Sequence, residues 1–166
     1  MNPWKCKEWQ EFYCDKLFIR SSLRMHYCKE IDGKLKLFFN DFSKWLRKNY
    51  IFPIRVNVYL KRTFYIRAVD GENVSATFWG PFDRTAEPYI KIAAGDYNKL
   101  KTRYDEFNAL CSSIASLAHE LTHYFQWIND WDLTPEQEER QAEYYAEKIV
   151  YAYLDECGYD YLDSLS

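Results

Sequence analysis

Apolar residues recur at helical spacing between residues 35 and 50: Leu35, Phe38, Phe39, Phe42, Trp45, Leu46 and Tyr50. The segment is predicted to be an amphipathic helix with one buried face, and Pro53 closes it. The period then falls to two. Ile54, Val56, Val58 and Leu60 alternate with Arg55, Asn57, Tyr59 and Lys61, which predicts a strand with one face in the core. Residues 63–69 and 74–79 read as two more strands around the turn signal Asp70-Gly71-Glu72-Asn73. Residues 80–88 form a loop, and 89–94 a fourth short strand before Gly95. Helical spacing returns from about Asp105 to Asn129, a stretch without Gly or Pro whose stripe is Phe107, Leu110, Cys111, Ile114, Leu117, Ala118 and Leu121. Thr134 then reads as an N-cap, with Pro135 at the first helical position and Gln137 placed to close a capping box. That helix is predicted to reach about Glu156, with Gly158 as its stop. Residues 4–30 show no clean period, and helix is expected for part of them.

This order predicts an α+β fold: an N-terminal helical region, a small three- to four-stranded, mostly antiparallel sheet, and a two-helix hairpin. With no internal repeat and no Gly/Ser/Pro-rich linker, residues 1–166 are expected to form a single domain. Hydrophobic residues make up 48% and aromatics 19% of the chain, which excludes a disordered or low-complexity protein. Charge is unevenly spread. Residues 1–67 carry 15 Lys/Arg against 6 Asp/Glu, and residues 68–166 carry 7 against 19. Two halves of opposite sign are expected to pack together; the sharper alternative is a basic face for an acidic partner such as nucleic acid, for which no recognised motif speaks.

The five cysteines are odd in number and contain no Cys-x-x-Cys pair. The charged start "MNPWKCKEWQ" does not resemble a signal peptide, and no apolar run is long enough to span a membrane. Free thiols in the cytoplasm are therefore expected. Cys6, Cys14 and Cys28, with His26, match no zinc-site spacing.

The candidate chemistry lies in "SLAHELTHYFQ", residues 116–126, which holds two of the three histidines. His119 and His123 are four apart on a predicted helix, so both project from one face and can bind one Zn²⁺ through imidazole nitrogens. Moving either by one position would turn it about 100° round the helix. Glu120 flanks that face, where it can take a proton from a water activated by the metal without being a ligand. A third ligand must come from elsewhere in the chain.

"HELTH", followed by "ERQAEYYA" at residues 139–146, resembles the compact gluzincin metallopeptidases. The pattern Glu139, Ala142, Ala146 is similar to that of ImmA/IrrE-type peptidases of phages and mobile elements. The resemblance covers residues 89–155. It implies a zincin-like fold, a third ligand in a glutamate of the following helix, and Zn²⁺ as cofactor. It also implies a zinc metalloendopeptidase acting on a protein or peptide such as a repressor or other regulatory protein, and a substrate laid along the strand 89–94 as an edge. The family position that is usually Asp or Asn is Glu143 here. The absence of a third histidine in the downstream pattern sets metzincins aside.

Two residues compete for the third ligand. Ala142, Ala146, Ile149, Val150, Tyr153 and Leu154 centre within roughly 20° of Glu139, whereas Glu143 lies about 40° round from it. In an antiparallel hairpin His123 and Glu139 come level, with Glu143 about 6 Å too far along. Glu139 is therefore expected beside His119 and His123, and Glu143 as an acceptor for a histidine N–H; a longer, thermolysin-like spacing would choose Glu143 instead. Tyr144, Tyr145, Tyr151 and His26 are candidates to donate to an oxyanion. Two other functions fit the sequence: a zinc-stabilised interaction protein that cleaves nothing, and a DNA-associated protease using the basic half.

Overall fold

A computed structural model describes residues 1–14 and 19–158. After a short helix α1 (Gln10–Tyr13) come strand β1 (Leu23–Tyr27), helix α2 (Gly33–Asn49) and strand β2 (Val56–Lys61). Three short strands follow, β3 (Ile66–Arg67), β4 (Asn73–Val74) and β5 (Ala76–Trp79), then β6 (Tyr89–Ala93). Helices α3 (Tyr97–Arg103), α4 (Glu106–Ile128) and α5 (Pro135–Glu156) complete the described chain. The class is α+β, as the order of periodicities implies.

The sheet corrects the expectation of a mostly antiparallel arrangement. Its order is β1-β2-β6-β5, with β1–β2 and β2–β6 parallel and only β5–β6 antiparallel. The reason is β1, which lies in the segment expected to be partly helical; of that segment, residues 15–18 lie outside the described residues. With a strand before α2 and another after it, the helix becomes a crossover, and a crossover of that length joins parallel strands. The hairpin expected over 63–79 is real but short. β3 and β4 pair with each other, Gly71 turns at φ +88°, and the chain then leaves to pair β5 with β6. Helix α3 was not legible, because only Tyr97 on it is buried.

Helices α2, α4 and α5 form where the pattern placed them. Asp32 caps α2 by accepting from the Lys34 and Leu35 N–H groups, and Leu35, Phe38, Phe39, Phe42, Trp45 and Leu46 are its buried face. Asp105 caps α4 through the Asn108 N–H at 2.7 Å. The Thr134–Gln137 capping box starts α5, and Gly158 at φ +77° follows its C-terminus. α4 is buried on most of its circumference beyond Ala109. It is tied to the sheet by Tyr124, whose hydroxyl donates to the Ile54 carbonyl at 2.6 Å and accepts from the Ile54 N–H. The chain's first residues cross behind this helix, where the Trp4 indole donates to Thr122 at 3.0 Å and packs on Phe125.

The oppositely charged halves meet in part through ion pairs, Arg20 with Glu87 and Lys34 with Glu106 among them. All five cysteines are free thiols. Among the described residues, no helix is long and apolar enough to cross a membrane.

Candidate metal centre

His119 and His123 stand one turn apart on α4 with ring centroids separated by 5.0 Å. Glu139, in the second turn of α5, faces both. Its Oε1 lies 3.0 Å from His123 Nε2 and its Oε2 lies 3.3 Å from His119 Nε2. One ligand atom from each residue falls within 4.8 Å of the others, and no other such His/Cys/Asp/Glu group occurs among the described residues. The rival Glu143 lies further along α5, lining the same cleft.

Glu139 is thus where hairpin geometry puts it, but one reason given for it needs correcting. Its side chain is 61% exposed, not sunk in the core-facing stripe. The buried face of α5 begins only at Ala142, so the first turns of the helix overhang an open cleft. What brings Glu139 to the histidines is its level along the hairpin. Nor does Glu143 take the histidine N–H. His123 Nδ1 is 2.9 Å from Gln126 Oε1, and Glu143 acts on His119 only through space.

Gln126 decides which ring nitrogen of a neutral His123 carries the proton. Its amide nitrogen lies 3.1 Å from the Glu138 carbonyl, which can only accept. The nitrogen therefore faces Glu138, and the amide oxygen faces His123. That oxygen can only accept as well, so Nδ1 carries the proton. A neutral His123 then directs a bare Nε2 lone pair at a carboxylate oxygen 3.0 Å away. Two acceptors at that distance need a proton or a cation between them. Tetrahedral zinc with ligand bonds near 2.0 Å holds its donor atoms about 3.3 Å apart, close to both histidine–glutamate separations. Two imidazoles and a carboxylate are also the donor types that zinc takes at sites with an open position. Burial, and then the His123 ring, hold His119 below the ordinary histidine range against the pull of Glu139 and Glu143. Its imidazole is thereby kept in the neutral form that ligation requires. In donor type, His119, His123 and Glu139 together could hold a metal ion such as zinc.

Glu120 lines the same cleft as the two histidines and Glu139, accepts a hydrogen bond from the Phe78 backbone and is only 8% exposed. Burial pushes its carboxyl up to about 7; His123 and a hydrogen bond from the Phe78 backbone oppose the rise, and Glu139 adds to it. Phe78 belongs to β5, and here the expected substrate edge is corrected. The strand 89–94 is internal, paired with β2 on one side and β5 on the other. The edge strand beside the site is β5, which was read correctly as a strand but not as the border.

A cleft of about 1270 Å³ runs between β5, α4 and α5. Its walls include Thr77 and Phe78 on one side and Ala146 and Val150 on the other, with Trp127 and Trp131 at the helix corner. Gly80 is needed there, because a Cβ would come 2.6 Å from the Trp127 ring. Of the oxyanion candidates, Tyr151 lines this cleft. Tyr144 and Tyr145 lie outside its lining, and His26 is engaged with Asn57 at 3.0 Å on the far strands. Gln126 was missed in the sequence. The available signal was its position three residues after His123, on the same helical face. Comparison with protein-family models, curated proteins and solved structures gave no match to this chain.

Proposed function

We propose that the protein is a zinc-dependent peptidase that cleaves peptide bonds within a protein or peptide. The observation that carries this reading is the meeting of His119, His123 and Glu139 beside a nearly buried Glu120, in a cleft bordered by an edge strand. The two histidines and Glu139 would hold the ion, which when bound supplies a Lewis acid that brings water's pKa toward neutrality. Glu120 carries the proton. Its carboxyl, lifted by burial to about 7, would be drawn back toward the ionised base by a cation held beside it. It takes a proton from water as the water oxygen bonds to the carbonyl carbon, and gives it to the nitrogen as the C–N bond breaks. The β5 edge offers main-chain groups to an extended peptide, which the cleft is long enough to receive. Five thiols without a disulfide suit a reducing compartment, so we place the reaction in the cytoplasm; the resemblance carried by HELTH and ERQAEYYA suggests a regulatory protein such as a repressor as substrate.

Metal analysis of the purified protein joined to peptide-library cleavage tests this. Wild type should hold one zinc and cleave, whereas Glu120→Gln should keep the zinc and lose at least about 100-fold in rate. Cleavage by Glu120→Gln at near wild-type rate would remove Glu120 as the base. Zinc binding without any cleavage by wild type would favour the interaction protein.

A further inference from the structure

We propose that Gln126 is the positioning residue of the metal centre: it presents His123 through one nitrogen and fixes its distance from the Glu139-bearing turn. The proposal rests on the metal reading for its affinity consequences, but not for its effect on the imidazole itself. Gln126 is 4% exposed, and an amide so buried is unfavourable unless its polar atoms are paired. They are. Oε1 accepts from His123 Nδ1 at 2.9 Å, and Nε2 donates to the Glu138 carbonyl at 3.1 Å and to Gln141 Oε1 at 2.9 Å.

These partners sit on two helices. His123 is on α4, Glu138 immediately precedes Glu139 on α5, and Gln141 is two residues further on. One planar amide therefore spans from a ligand's ring to the backbone turn that carries another ligand. The Thr134–Gln137 box organises α5 internally, but it does nothing to set the height of α5 against α4. At that corner the Gln126 bonds do so. A methionine would fill similar space and set neither the tautomer nor the register. Without the Gln126 acceptor, a neutral His123 gains more by carrying its proton on Nε2 and donating it to Glu139. That form keeps its lone pair on Nδ1 and has none on the nitrogen that faces Glu139.

The full chain should be examined as wild type, Gln126→Met and Gln126→Glu. In the metal-free protein, at a pH where the ring is neutral, imidazole ¹H–¹⁵N correlations should show His123 protonated on Nδ1 in wild type. In Gln126→Met they should show it shifted to the Nε2–H form. Wild-type His123 found as Nε2–H overturns the proposal. Zinc affinity, measured by competition with a chromophoric chelator, should fall about 10–100-fold in Gln126→Met. Gln126→Glu keeps an acceptor for Nδ1–H while losing both donated bonds, so it should bind zinc within about threefold of wild type although it melts lower. Equal loss of affinity in both variants, in step with their loss of stability, would reduce Gln126 to a packing residue and overturn the proposal. Wild-type affinity retained by Gln126→Met overturns it alone. Absence of zinc binding by wild type overturns the metal centre itself, and this proposal with it.

Discussion

Glu120 lies at the buried border of α4 and β5, with its carboxyl pushed up to about 7 from an ordinary 4.5. Below pH 4.5 the folded and unfolded chains both hold the proton, and Glu120 makes no demand on stability. Between 4.5 and 7 the folded state holds more protons than the unfolded one, so stability falls as pH rises through that window. Above it the full cost of a buried charge is felt, about 3 kcal/mol. Glutamine keeps the shape and an acceptor for the Phe78 N–H without the charge. Metal-free Glu120→Gln should therefore resist urea better than metal-free wild type at pH 8, by roughly 2–3 kcal/mol, with the gap closing toward pH 4. An equal or lower urea midpoint at pH 8 would show that the carboxylate is not penalised there. The residue proposed to move the proton is thus one the empty fold would rather see neutral, and a cation bound beside it would reconcile the two demands.

At the scale of elements, α5 shows how local chemistry supports a distant site. Thr134 accepts from the Gln137 N–H at 3.2 Å, and the Gln137 side chain accepts from the Thr134 N–H at 2.9 Å. Glu139 follows within two residues of that box. Thr134→Ala should cost about 1 kcal/mol and lower the melting temperature by about 2–4 °C. No change in melting would mean that packing of Ala142, Ala146 and Ile149 alone holds the first turns. This helix and α2 were legible because each states its caps and its buried stripe in consecutive residues. β1 was not. Its five residues Leu23–Tyr27 contain Arg24 and His26 and only one fully buried side chain, Leu23, so alternation is too weak to stand out from a helical or irregular reading.

For the whole molecule, α4 and α5 each supply part of the candidate metal centre, and a ligand that binds only the folded form stabilises it by mass action. Zinc at about 100 times its dissociation constant should add about 2.7 kcal/mol, a rise in melting temperature of about 5–10 °C. A chelator should reverse it, and His119→Ala should abolish it. A zinc-induced shift that survives in His119→Ala would place the ion elsewhere. The charge asymmetry also takes its meaning at this scale. Lys34 at the start of α2 meets Glu106 at the start of α4 at 2.8 Å, so part of the opposite charge in the two halves is spent inside one fold.

The amino-acid sequence by itself determined helices α2, α4 and α5, the β2 and β6 strands and the one-face placement of His119 and His123, because these depend on periodicity and caps written within a few turns. It also favoured Glu139 over Glu143 as the carboxylate beside the histidines, through the level of the two helices in a hairpin. Tertiary structure alone decided the rest. Which strand is the border depends on hydrogen bonds between segments far apart in the chain, and an internal strand such as β6 carries the same alternation as an edge. That the Glu139 side chain reaches the histidines across an open cleft, not from the core, depends on the packing of α5 against α4. Which nitrogen of His123 is free depends on a carbonyl at Glu138 that can only accept, 12 residues from Gln126. Pairing, register and tautomer are properties of atoms brought together by folding, and no single segment contains them.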